Sequence, residues 1–111
     1  MINLKIEIDK NRILKKLNAT GHSGFSVNGS DIVCAAVSVL LYTASLSLTK
    51  VQDAKIRNKD DGESLFIDVL GYETEGIEKL KGITLFLLNG LNLLKTKYET
   101  YIDLFINESN D

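Results

Sequence analysis

The chain has 111 residues, 44% of them hydrophobic and 25% charged, with a formal charge of −2, the size and balance of one domain, residues 1–111, built on a single core. That charge, with Lys15–Lys16 as the one adjacent basic pair, excludes a general basic field, so no direct nucleic-acid partner is expected. One cysteine and one histidine exclude an internal disulfide and a Cys/His zinc site, so neither metal nor cofactor is expected. The start MINLKIEIDK has no apolar h-region; with the cysteine usage this predicts a cytoplasmic protein without a signal peptide.

Ile2, Leu4, Ile6 and Ile8 alternate with polar residues, the period of a half-buried strand. Asp9-Lys10-Asn11 reads as a hairpin turn, and Arg12 to Thr20 as a second strand. A loop with Gly21, Gly24 and Gly29 follows. Ser30, or alternatively Asn28, is the expected helix cap, with Asp31 favouring the helix dipole from the first turn. The helix runs to about Leu48 and carries no charge from Ile32 to Thr49. Ser38, Thr43, Ser45, Ser47 and Thr49 interrupt its apolar run, so it reads as a buried helix of a soluble domain, with no membrane partner.

Val51 to Asn58 and Ser64 to Leu70 read as strands joined at Asp60-Asp61-Gly62-Glu63, since Asp-Gly between such runs marks a hairpin. Leu65, Ile67 and Val69 form the inward face. Thr74 opens a helix of about 22 residues whose Ile77, Leu80, Thr84, Leu87, Leu91 and Leu94 make one stripe. Gly82 and Gly90 inside it point to close packing on a neighbour. Leu85, Phe86, Leu88 and Leu93 widen the apolar surface beyond that stripe, which suggests a subunit contact. Tyr98 to Ile106 alternates as a last strand, and Asn107 to Asp111 is a polar tail expected to fray. The predicted fold is α+β in two layers, a mainly antiparallel sheet with two helices over one face, in the order β-β-α-β-β-α-β.

The chemistry concentrates between residues 21 and 40, GHSGFSVNGSDIVCAAVSVL. Cys34 falls at a helix start, where unpaired amides and the dipole favour a thiolate, the form that attacks carbonyls. A buried small hydrophobe is its plain alternative. His22 alone would be a surface or structural residue. As a pair the two carry a mechanism: the imidazole takes the thiol proton and returns it to the leaving amine. The intervening loop is long enough to bring them together and flexible enough to close over a substrate. Asp31 and Ser38, three before and four after Cys34, share its helix face. Asp31 either orients His22 as a third member or is a helix-terminal acid; Ser38 supports the site or permits packing. Phe25 is a lid or an anchor. Oxyanion donors would be backbone amides of the loop or of the helix start.

Gly21-His22-Ser23-Gly24, followed by Gly29-Ser30-Asp31-Ile32-Val33-Cys34-Ala35-Ala36-Val37-Ser38, resembles the signature of the ribosomal-processing cysteine protease (Prp) family. The resemblance extends over nearly the whole chain, through Asp61-Gly62, Gly90-Leu91 and Tyr98-Glu99-Thr100-Tyr101-Ile102. Ser23 departs from the alanine usual after the histidine. The resemblance implies catalytic Cys34 and His22, with Asp31 and Ser38 supporting them and Gly21, Ser23, Gly24 and Gly29 in the substrate loop. It further implies a homodimeric endopeptidase that removes a short N-terminal extension from a large-subunit ribosomal protein precursor, cutting after a pair of phenylalanines. A non-catalytic dimeric factor that binds the ribosome or a ribosomal protein is the alternative, and a redox-sensing thiol a third reading.

Overall fold

The alternation of Ile2, Leu4, Ile6 and Ile8 forms strand β1 (Ile2–Ile8) in a computed structural model that describes residues 1–21, 24 and 31–109. All four side chains are buried, as the two-residue period requires of a strand with one face covered. Asp9 turns the chain, its Oδ1 accepting from the amides of Asn11 and Ile13 at 2.8 and 3.0 Å. Arg12 and Ile13 complete this turn, so β2 (Leu14–Thr20) begins two residues later than expected and returns antiparallel to β1.

Helix α1 (Ile32–Thr49) buries Val33, Val37, Leu41, Ala44, Ser45 and Leu48. By length and composition it could cross a membrane, but its apolar stripe packs into the same hydrophobic cluster as β1 and β2. The chain then turns through Val51, whose amide donates to the Leu48 carbonyl at 3.2 Å. Val51 is buried from this turn rather than from a strand, so β3 (Lys55–Asp60) starts four residues later than expected. The predicted Asp-Gly hairpin joins it to β4 (Ser64–Gly71), with Gly62 at φ 89°, backbone that glycine adopts without strain. Ile67 and Val69 are buried as expected, and Leu65 packs half-buried beside them.

A 3-10 turn (Thr74–Gly76) precedes helix α2 (Ile77–Lys97), whose Leu80, Thr84, Leu87 and Leu91 are buried. Thr84 is satisfied inside that apolar stripe. Its Oγ1 accepts from the Leu14 amide at 3.0 Å and donates to the Leu80 carbonyl at 2.8 Å, which pins α2 to β2. A Cβ on Gly90 would lie 2.8 Å from Leu40 Cδ1, whereas one on Gly82 would meet nothing within 4 Å. Close helix packing therefore accounts for Gly90 and not for Gly82.

After α2 a second 3-10 turn (Glu99–Tyr101) takes the residues expected to open the last strand. The Tyr98 amide still donates to the Leu94 carbonyl, so the helix runs into this turn and β5 (Ile102–Glu108) begins at Ile102. The strand also absorbs Asn107 and Glu108 from the expected tail, and the Ser109 amide donates to the Ile8 carbonyl at 2.7 Å. β5 lies parallel to β1. The five-stranded sheet has the order β3-β4-β2-β1-β5, mixed but mainly antiparallel, in the predicted α+β arrangement.

Candidate active site

Strand register assembles one corner of the molecule. Thr20 of β2 lies opposite Asn3 of β1 on one side and Ser64 of β4 on the other. The β3–β4 turn is thereby brought beside Gly21, the residue that precedes His22 in the chain. Gly21 has φ 87°, and a Cβ there would lie 2.3 Å from the Met1 carbonyl oxygen, so no other residue fits this exit from β2 without moving the backbone.

α1 starts above the same corner. Its cap is Asp31, not Ser30 or Asn28, which lie outside the described residues. Asp31 has extended backbone (φ −79°, ψ 104°), and its Oδ1 accepts from the amides of Val33 and Cys34 at 2.9 and 3.1 Å. Its carbonyl accepts from the Ala35 amide at 3.2 Å. Asp31 thus sits before the first turn rather than in it, where its charge complements the dipole. Three amides at the helix start bond to it.

Cys34 and Ser38, both half-buried, follow at helical spacing, and Tyr42 continues the row. These three line a cleft of about 300 Å³ together with Gly21, Asp60 and Glu63. Ile2, Val37, Leu41 and Leu65 supply its apolar lining. The Tyr42 hydroxyl donates to Asp60 Oδ2. That bond raises the tyrosine pKa and, with a further bond from the Gly62 amide, lowers that of Asp60. Asp61, accepting from the Ser64 and Glu63 amides, is lowered as well. In both, hydrogen bonds to the charged form favour the carboxylate over the acid.

A larger groove of about 820 Å³ runs between α1 and α2 past Val39, Gly82 and Phe86. It is apolar, with Lys50 and Lys79 as its only ionisable groups among the described residues, whereas the smaller cleft holds the thiol. Among the described residues no three His, Cys, Asp or Glu side chains group as metal ligands.

The structure brings together Cys34, Ser38 and Gly21, and leaves Asp31 at the cap. Gly24 is left-handed at φ 73°, and a Cβ there would meet no described residue within 4 Å. His22, Ser23, Phe25 and Gly29 lie outside the described residues. Sequence reasoning missed Tyr42 and the β3–β4 turn as cleft walls. Helical spacing carries the signal for Tyr42, eight residues after Cys34, but the turn's place depends on the β2–β4 register.

The model of the cysteine protease Prp family matches residues 1–103. The chain belongs to that family. Among solved structures, the S. aureus ribosomal processing protease Prp bound to a covalently linked product peptide superimposes with a TM-score of 0.80 at 21% identity, covering 98% of this chain and all of that one. The same Prp with a substrate peptide gives a TM-score of 0.76 at 19% identity, with the same coverage. SMU.848 from Streptococcus mutans has a TM-score of 0.80 at 28% identity, covering 98% of this chain and 96% of that one. Comparison with curated proteins gave no match. The Prp fold therefore spans the chain, and the chain's one thiol, Cys34, lines the cleft just described.

Proposed function

We propose that this Prp-family chain is a cytoplasmic cysteine endopeptidase that removes a short N-terminal extension from a large-subunit ribosomal protein precursor. The observation that carries this reading is the position of Cys34. The only thiol of a cysteine-protease family member opens into a cleft one turn inside a helix N-terminus, beside the residue that leads into the only histidine. In the reaction, His22 takes the proton from Cys34 Sγ, and the sulfur attacks the scissile carbonyl. The protonated imidazole then delivers that proton to the leaving amine, and water releases the acyl group from sulfur.

The apolar lining from Ile2, Val37, Leu41 and Leu65 suits a phenylalanine side chain before the cut, and the ionised Asp60 and Asp61 suit the basic remainder of a ribosomal protein. With the amides of Val33, Cys34 and Ala35 committed to Asp31, the oxyanion donors fall to the loop before the helix. The test is mass spectrometry of the host's precursor after incubation with the protein. A single cut near the precursor's N-terminus is expected. Stable association without a cut would replace the protease with a binding factor.

Asp31 has two roles that two substitutions separate. Asp31→Ala removes the cap and should cost about 0.5–2 kcal/mol in chemical denaturation. Asp31→Asn keeps a residue type equally favoured as a cap, so it should fold as stably as the parent. Its cleavage rate should nevertheless fall roughly tenfold or more, because the lost charge no longer orients the His22 imidazole. Full activity in Asp31→Asn would reduce Asp31 to a cap.

We also propose a homodimer, supported by exposed apolar side chains on the helical layer. Leu85, Phe86 and Leu93 of α2 and Val39 of α1 are 56–72% exposed, and Phe86 borders the groove between α1 and α2. The protein should sediment as a dimer, and Phe86→Asp should sediment as a monomer. A monomer in the parent would remove this part of the proposal.

A further inference from the structure

The strand that leads into the far wall of the Cys34 cleft, the β3–β4 turn, is held weakly by the core. β3 exposes five of its six residues, and only Ile56 is half-buried. It is an edge strand, paired on one side to β4 alone. Two polar bonds join it to α1: Asn58 Nδ2 donates to Ser45 Oγ at 2.7 Å, and the Tyr42 hydroxyl donates to Asp60 Oδ2. The second bond lies at the turn itself. Asp60 is the last residue of β3, pairs with Leu65, and also accepts the Gly62 amide through Oδ1 at 2.9 Å. Tyr42 belongs to the same helical row as Cys34 and Ser38, and all three share the cleft with Asp60 and Gly62.

We propose that Tyr42 is a positioning residue for the reaction: through Asp60 it fastens the β3–β4 turn to α1 and so fixes the width of the cleft into which the peptide beside the scissile bond must fit. The inference rests on the protease reading for its kinetic consequence, but the tie itself is a property of the fold. Tyr42 touches no reacting atom in this role. Its loss should weaken binding of the peptide, which needs the wall in place, and leave the chemical step at Cys34 intact.

Tyr42→Phe removes the hydroxyl alone, and Asp60→Ala removes its acceptor. In each variant the amides of Gly62, Glu63 and Ser64 should exchange with deuterium at least about tenfold faster, because local opening sets protection in such a segment. With a peptide spanning the cut junction of the host's precursor, KM should rise about tenfold while kcat stays within about twofold, the pattern of lost binding shared by ground and transition states. The double variant should be no worse than Asp60→Ala alone, since the Tyr42 hydroxyl acts only through Asp60, whereas Asp60 also holds the Gly62 amide. Iodoacetamide, which needs no wall, should label Cys34 at the parent rate. Unchanged exchange at the turn, additive losses, or a fall in kcat at constant KM would each overturn the proposal. If the parent cleaves no peptide, the protease reading fails and the exchange experiment alone decides the tie.

Discussion

Cys34→Ala is expected to end turnover, with a loss on the order of 10⁴-fold or more in kcat, while the protein stays folded and holds its substrate. The reaction forms a bond from Sγ to the scissile carbonyl carbon, and the chain contains no second thiol to take its place. Ser38, four residues on and lining the same cleft, has a hydroxyl, but an alcohol attacks far more slowly than a thiolate when its base is set for a thiol. Folding should change little. Cys34 is only half-buried, its amide bond to Asp31 Oδ1 is made by the backbone, and alanine is the best helix former. A stability change within about 1 kcal/mol follows. The check is a paired mass spectrum of the precursor: one cut with the parent, none with the variant, and a complex between variant and precursor that survives gel filtration. Cutting at the same position by a well-folded Cys34→Ala would show that the nucleophile lies elsewhere and would remove the mechanism with it.

Local periodicity carried most of the fold into the sequence. The alternation at Ile2–Ile8, the Asp-Gly pair at residues 61–62 and the stripe Leu80, Thr84, Leu87, Leu91 each depend on neighbours within a few positions, and each forms as read. Pairings between distant segments were not legible. β5 joins β1 in parallel, a contact between opposite ends of the chain, and nothing local in Ile102–Glu108 specifies direction. Helix entry was misread because Ser30 and Asp31 are both good caps, and the choice between them rests on the backbone angles of Asp31. Val51 was misassigned because an apolar residue that fills the core from a turn looks the same as one in a strand. For the site, residue chemistry pointed to Cys34, and helical spacing correctly placed Ser38 beside it. The wall at Asp60–Ser64 came from the β2–β4 register, which local patterns leave open.

The corner where β2 ends supplies the second large effect. Gly21→Ala should destabilise the fold by roughly 2–5 kcal/mol, from left-handed backbone strain and from overpacking. The two terms act at one atom. At φ 87° a side chain is disfavoured, and the added methyl would overlap the Met1 carbonyl oxygen at 2.3 Å. That oxygen belongs to backbone entering β1, which is laddered to β2 from Asn3 opposite Thr20 onward, so neither partner can yield without disturbing the sheet. Gly24→Ala is the matched control: its φ is also positive, at 73°, but its Cβ would meet no described residue within 4 Å, so it should cost the strain of about 1–2 kcal/mol. Activity should separate the two further. Gly21 lines the Cys34 cleft and is bonded to His22, so displacing its backbone displaces the base, and a misplacement of about 1 Å can cost on the order of 100-fold in rate. Measured at a temperature where both variants are fully folded, kcat/KM for precursor cleavage should fall on that order in Gly21→Ala and far less in Gly24→Ala. Equal melting and equal cleavage in the two variants would mean that the chain leaves β2 by another path, and that His22 does not depend on Gly21 for its place.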